Sequence, residues 1–174
     1  KKITNFSIVR YGNVLGSRGS VIPFFKEQTK FGKIPITNLN MTRFVISLRE
    51  CVEFVCKSFE YMVGGEIFVK KIPSIKIIDI ANAISKKKND YKIIGVRPGE
   101  KLHEQMISTE DAPFTYESKD HYKILPSIMD DPLFYKINKN KKVNINFNYI
   151  SNKNNHWIST ANLNTWLKKY PNYF

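Results

Sequence analysis

The sequence predicts a mixed α/β fold, on three observations. Strand-like and helix-like runs alternate along residues 6–110, the order that builds a sheet with crossover helices. Phe6–Arg10, a β-rich run, feeds a polar loop holding Gly12, Gly16 and Gly19, and a helical pattern opens directly behind it. Open α/β sheets place ligands at that kind of junction, outside the carboxyl end of a strand. Third, the strands are too few for a complete doubly wound sheet. The dinucleotide turn G-x-G-x-x-G is also absent, the glycines reading G-x-x-x-G-x-x-G instead. The chain is therefore expected to be the C-terminal half of a longer enzyme, and its start at Lys1-Lys2-Ile3, without methionine, points the same way.

Each element has a local reason. Phe6–Tyr11 reads as the first strand. A helix is expected over Ser20–Phe31, with Pro23 in its first turn, where a missing amide costs little, and Gly32 as its stop. Pro35 biases Ile34 toward extended backbone, so Ile34–Thr37 is a short strand. Asn38–Asn40 turns the chain, and Met41–Ile46 is extended again. Ser47 and Glu50 form a capping box for a helix whose Leu48, Cys51, Val52, Val55, Phe59 and Met62 share one face. Gly64-Gly65 ends it. Glu66–Lys70 reads as a buried parallel strand. Ser74 is expected to cap a helix carrying Ile77, Ile78, Ala81 and Ile84. Tyr91–Val96 is the next strand, and Arg97-Pro98-Gly99-Glu100 turns into a short helix with Leu102, His103 and Met106. Tyr122–Leu125 is a further strand, 130–155 reads as irregular, and Thr160–Lys169 forms a last helix joining Leu163, Trp166 and Leu167.

Composition narrows the partners. Among 174 residues, Lys and Arg number 28 against 15 Asp and Glu, a formal charge of +13. That excess suits an anionic ligand or nucleic acid. Much of the lysine lies in runs such as Lys86–Lys88 and Lys139–Lys142, mixed with asparagine, as a general compositional bias also produces. The two cysteines, Cys51 and Cys56, fit no zinc or redox spacing and read as core or near-core residues. They favour a reducing compartment. No apolar run approaches the roughly 20 residues that span a bilayer, and no secretory signal is visible. Neither a membrane nor a metal is expected as a partner, and the cytoplasm is the expected location.

Three constellations join polar forks to strand ends. The first is the opening loop with Asn13 and Arg18, beside the free amides of a helix start. The second is Pro35-Ile36-Thr37 with Met41-Thr42-Arg43-Phe44, and the third is Arg97-Pro98-Gly99-Glu100-Lys101-Leu102-His103-Glu104. A planar guanidinium matches two phosphate oxygens, and a carboxylate such as Glu100 accepts from a ribose diol. Each group also has a plain structural reading: a surface ion pair for Arg43, a cap for His103, a solvated helical face for Glu100 and Glu104.

Together these motifs resemble the extended short-chain dehydrogenase/reductases that act on nucleotide sugars. They are most similar to the inverting UDP-N-acetylglucosamine 4,6-dehydratase family of the pseudaminic acid type. Arg97–Glu104, Met41–Phe44, the run Ile67–Val69 with Lys71–Ser74, and Tyr149–Trp157 carry the resemblance. It implies the C-terminal part of an extended Rossmann-type fold with a small substrate-binding subdomain. Residues 1–128 would hold the last sheet strands interleaved with that subdomain, and 129–174 a C-terminal extension. It implies that Tyr11, Gly12 and Asn13 lie by the cofactor, NADP or NAD, which is bound mainly by a missing N-terminal half. Asn13, Val14, Arg18, Val21, Pro23, Phe24, Pro35, Ile36, Thr37, Met41, Arg43, Arg97 and Glu100 would line the UDP-N-acetylglucosamine site. Asn13, Arg43 and Arg97 are matched to the diphosphate, Glu100 to the ribose, Val21–Phe25 to the base and the Pro35–Thr37 backbone to uracil.

The reaction implied is oxidation at sugar C4 by the bound cofactor, loss of the C5 proton and of water from C6, and hydride return to C6 with inversion at C5. The family's Tyr-x-x-x-Lys does not occur here in its setting, so no catalytic residue is assigned and the chain alone is expected to be inactive. A homo-oligomeric parent is implied. Asn38 stands where an acid is expected and Val45 where a larger aromatic is, which bears on fine substrate choice. The rival readings are another UDP-sugar epimerase or dehydratase of the same fold and, from a different class, a basic nucleic-acid binding module.

Overall fold

The computed structural model describes residues 4–85, 90–127 and 141–169. The lysine run at 86–88 and the 130–140 part of the Asn/Lys-rich segment lie outside them. In chain order the elements are β1 (Ile8–Arg10), β2 (Asn13–Val14), α1 (Val21–Gln28), β3 (Ile34–Ile36), β4 (Thr42–Ile46), α2 (Leu48–Tyr61), β5 (Ile67–Lys70) and β6 (Ser74–Lys76). There follow α3 (Ile77–Ile84), β7 (Tyr91–Ile93), β8 (Gln105–Ile107), β9 (Thr115–Glu117), β10 (His121–Ile124), β11 (Lys141–Lys142), β12 (Tyr149–Ile150) and α4 (Thr160–Lys169). Single 3-10 turns occupy Ala112–Phe114 and Ser151–Lys153. The chain divides into two compact units.

The first unit combines Lys1–Tyr11, Arg49–Lys71 and Gln105–Tyr149. Its sheet runs β1-β5-β10-β9-β11, with β1 parallel to β5 and the later pairs antiparallel. Helix α2 sets Phe54 against this sheet, where the Phe54 and Phe68 rings flank His121 at 6.1 and 5.8 Å. The buried line of α2 is Cys51, Phe54 and Ser58. Of the stripe expected from sequence, Cys51 is buried, but Leu48, Val52, Val55 and Phe59 are exposed, Phe59 by 76%, and Cys56, expected in or near the core, is exposed as well. Both lines have helical spacing, so periodicity admits either, and packing on the sheet decides between them.

The end of α2 is closed by a buried acid. Glu66 accepts hydrogen bonds from the Val63 and Gly64 amides at 2.6 and 2.7 Å and from Ser7 Oγ at 2.7 Å. Burial pushes its carboxyl up, but these donors outweigh it and hold the value below the usual range. Asp120 behaves similarly. Burial raises it, yet hydrogen bonds from His121 and Lys70 and their charges bring it down to about 2.

The second unit combines Gly12–Leu48, Ile72–Glu104 and Ile150–Phe174. Strand β4 lies between β2, parallel to it, and antiparallel β6; β3 pairs in parallel with β7. Helices α1, α3 and α4 supply Ile22, Phe25, Ile80 and Leu163 to a core shared with Ile34, Ile36 and Ile75. Helix α4 occupies the span expected, with Leu163 buried.

Three expectations are corrected here. Ser74 does not cap a helix. It lies in β6 opposite Phe44, its hydroxyl accepting from Asn154, and α3 begins after Lys76. Residues 97–104 form no helix. The Arg97–Glu100 turn is closed by the Glu100 N–H donating to the Arg97 carbonyl and the Arg97 N–H donating to the Glu100 carboxylate. Leu102 and His103 then run alongside β4, where the Thr42 amide donates to the Leu102 carbonyl. A free β4 edge wins over a weak i, i+4 pattern, because it satisfies backbone groups that a one-turn helix leaves open. Within 141–155, strands β11 and β12 and the turn Ser151–Lys153 replace the irregular segment expected. No described helix is long and apolar enough to cross a membrane.

Phe54→Ala should destabilise the chain by about 3–5 kcal/mol, against about 0.5 kcal/mol or less for Phe59→Ser, as urea unfolding will show. A carboxyl held low in the fold stabilises it above the ordinary value and loses that contribution as pH falls through the folded value. Stability should therefore decline between pH 3.8 and about 2, and Asp120→Asn should flatten that limb of the curve.

Candidate functional site

A cavity of about 450 Å³ opens in the second unit, within the roughly 300–1,000 Å³ common for small-molecule sites. Strand β2 contributes Asn13 and Val14, and the start of α1 contributes Ser20, Val21 and Phe24. Pro35 and Thr37 come from β3 and the residue after it. Met41 and Arg43 come from the approach to β4 and from β4 itself, and Arg97 and Glu100 from the turn beyond β7. Ten of the residues singled out from sequence thus share one hollow. Ile22, Phe25, Ile77 and Ile80 give it an apolar floor continuous with the core.

The remaining singled-out residues stand elsewhere. Arg18 is exposed on the loop, Pro23 is half-buried in the first turn of α1, and the Ile36 side chain is sealed in the core. Gly12 lies against β4: a Cβ there would fall 2.5 Å from the Phe44 carbonyl oxygen, so only glycine fits. Tyr11 belongs to the first unit, where a hydrogen bond with the Cys51 thiol raises its hydroxyl above the usual value.

The polar walls are held from behind. Arg43 Nη1 donates to the Thr42 and Leu102 carbonyls at 2.8 and 3.2 Å, and Nε lies 3.4 Å from Glu104 Oε1. Glu100 accepts from Thr37 Oγ1 at 3.4 Å and from the Arg97 amide at 3.2 Å. His103 Nδ1 is 2.8 Å from Thr42 Oγ1, and burial followed by the Arg43 charge pushes its imidazole below the usual value. Thr42 Oγ1 is in turn 2.7 Å from Ser151 Oγ, which accepts from the Glu104 amide at 2.9 Å.

Sequence reasoning missed Ser20. Its hydroxyl is buried, faces no partner among the described residues and makes no cap bond to α1, while the residue lines the cavity. A serine immediately before an apolar helical run was the available signal. Also missed was Ile94, which lines the cavity although β7 has ended one residue before.

One solved chain, described as the X-ray structure of Pen from Bacillus thuringiensis, superposes with a TM-score of 0.80 at 30% identity, covering 96% of this chain and 51% of that one. The fold is therefore Rossmann-like, of the extended short-chain dehydrogenase/reductase class. A model of the family described as "Polysaccharide biosynthesis protein" matches residues 1–126. The chain belongs to that polysaccharide biosynthesis family. The UDP-N-acetylglucosamine 4,6-dehydratase (inverting) of Campylobacter jejuni subsp. jejuni serotype O:23/36 is 50% identical over 93% of this chain and 51% of its own length. The UDP-glucose 4-epimerase of Rickettsia rickettsii is 42% identical over 70% of this chain and 37% of its own. The chain spans about half the length of the first of these relatives or less of the second.

Proposed function

We propose that the cavity binds the uridine diphosphate part of a nucleotide sugar, and that the chain is the substrate-binding portion of a UDP-N-acetylglucosamine 4,6-dehydratase of the inverting type. The observation that carries this reading is the meeting of Asn13, Arg43, Arg97 and Glu100, distant in sequence, around one hollow. Most of the excess positive charge also belongs to residues of the second unit, which favours an anion there.

Each wall has a role in this reading. The Asn13 amide, Arg43 and Arg97 donate to the diphosphate, and Glu100 accepts from the ribose. The uracil lies along the backbone of Pro35, Ile36 and Thr37, with Val14, Val21, Phe24 and Met41 giving the apolar contact. Ser20 adds an unpaired hydroxyl beside the positive end of α1.

A dehydratase of this class needs a nicotinamide cofactor, NADP or NAD, for the hydride steps. The described residues do not fit a full dinucleotide cradle: the open side of Gly12 is already filled by Phe44, and the phosphate-binding glycine turn is missing. Tyr11 and Gly12, which link β1 to β2, and Asn13, which opens β2, therefore contribute only a short length of chain, and the cofactor and the catalytic Tyr-x-x-x-Lys are assigned to sequence outside this chain. No chemical step is assigned to a residue here. The parent is read as a homo-oligomeric, cytoplasmic enzyme.

Calorimetric titration of the 174-residue chain with UDP tests the reading. Saturable binding is expected, lowered about tenfold or more by Arg43→Ala and by Arg97→Ala, since each removes charge-assisted hydrogen bonds. Absence of UDP binding would remove the proposal's basis. Ser20→Ala should leave the melting temperature equal or higher, because no bond is lost, while weakening UDP. Incubation with UDP-N-acetylglucosamine and NADP should give no product, and turnover by the chain alone would contradict the assignment of the catalytic groups.

A further inference from the structure

We infer that Glu104 is the positioning residue of Arg43, and that a chain of hydrogen bonds through Ser151, Thr42 and His103 locks it in place. This rests on the diphosphate reading of the cavity and specifies how that site holds its arginine ready for a diphosphate.

Two hydrogen bonds and one ion pair hold the Arg43 guanidinium. Two carbonyls accept from Arg43 Nη1, and the Glu104 carboxylate stands 3.4 Å from Nε as an ion pair. Among the described residues only Nη2 is left without a protein partner, on a guanidinium that lines the cavity and whose side chain is 13% exposed. A free arginine loses rotamer entropy each time it meets a ligand; one already pinned along two edges does not. Glu104 is itself pinned from behind. Its amide donates to Ser151 Oγ, and its carbonyl accepts from the Ser151 amide at 2.8 Å. The Ser151 and Thr42 residues are 0% and 3% exposed, so their hydroxyls must satisfy one another. With His103 neutral, one donor sequence satisfies all of them: Glu104 N–H to Ser151 Oγ, Ser151 O–H to Thr42 Oγ1, and Thr42 O–H to His103 Nδ1. The turn Ser151–Lys153 thereby fixes the fork that faces the ligand.

Arg97 has no such backing: it is exposed, with its guanidinium outside any hydrogen bond among the described residues. The two arginines therefore divide the work, Arg43 holding a fixed orientation and Arg97 adapting to the ligand.

The test compares UDP with uridine in titrations of the wild-type chain, Glu104→Ala and Glu104→Gln. It also follows the Arg43 Nε–H resonance by NMR without ligand. Glu104→Ala should weaken UDP about five- to tenfold, the range of a partly shielded ion pair, with uridine unchanged. Glu104→Gln, which keeps an acceptor, should recover part of the loss. The Nε–H resonance should be protected from exchange in the wild type and lost in Glu104→Ala while the backbone spectrum stays folded. Unchanged UDP-to-uridine selectivity together with an unchanged resonance would overturn the inference. A wild-type chain that shows the protected resonance and binds no UDP would instead sink the diphosphate reading and leave the positioning intact.

Discussion

Strand β4 is hydrogen-bonded along both edges, and those bonds decide where the polar groups of the cavity stand. On one edge Asn13 and Val14 pair with Val45 and Ile46. On the other, Thr42, Arg43 and Phe44 face Lys76, Ile75 and Ser74. The Thr42 amide then ties to the Leu102 carbonyl, which draws the Arg97–Glu104 segment beside Arg43. Asn13, Arg43 and Glu100 are thus neighbours because backbone donors needed acceptors, and unmet buried amides are costly. The close passage of Gly12 over Phe44 belongs to the same constraint, since a side chain there would push the loop off the strand.

The site combines two ways of presenting charge. Arg43 is mostly shielded and held by three oxygens, so its field acts through few waters and in a fixed direction. Arg97 stands in solvent, where charge is screened but mobile. Glu100 closes the turn at Arg97 with its carboxylate and meets Thr37. His103 is kept neutral by burial and by the arginine beside it, which preserves its Nδ1 as an acceptor for Thr42. An imidazole of this kind supports the strand; nothing in its surroundings makes it an acid or base for a substrate.

The first unit solves a different problem. Its helix must end where the chain re-enters a sheet, and Glu66 satisfies the Val63 and Gly64 amides of that corner. The same helix carries two apolar lines and buries only one. The exposed line, Leu48, Val52, Val55 and Phe59, is wholly apolar, whereas the buried one, Cys51, Phe54 and Ser58, includes a serine. Counting apolar residues on a wheel therefore finds α2 but not its inner face.

By itself the sequence determined the α/β class, the start of α1, the spans of α2 and α4, and the motif residues of the cavity, because propensity and local spacing act over a few neighbours; α1 ends at Gln28, short of the Gly32 stop expected. Asn13, Arg43, Arg97 and Glu100 were legible since their side-chain chemistry and their places at strand ends are written in short motifs. Ser74, Leu102 and His103 were misread because strand pairing depends on a partner dozens of residues away, and a local pattern cannot weigh that partner. Ser20, Glu66 and Glu104 acquired their meaning only in three dimensions: a hydroxyl is unpaired, or a carboxylate is a clamp, according to which amides and guanidinium the folded chain brings within hydrogen-bond reach.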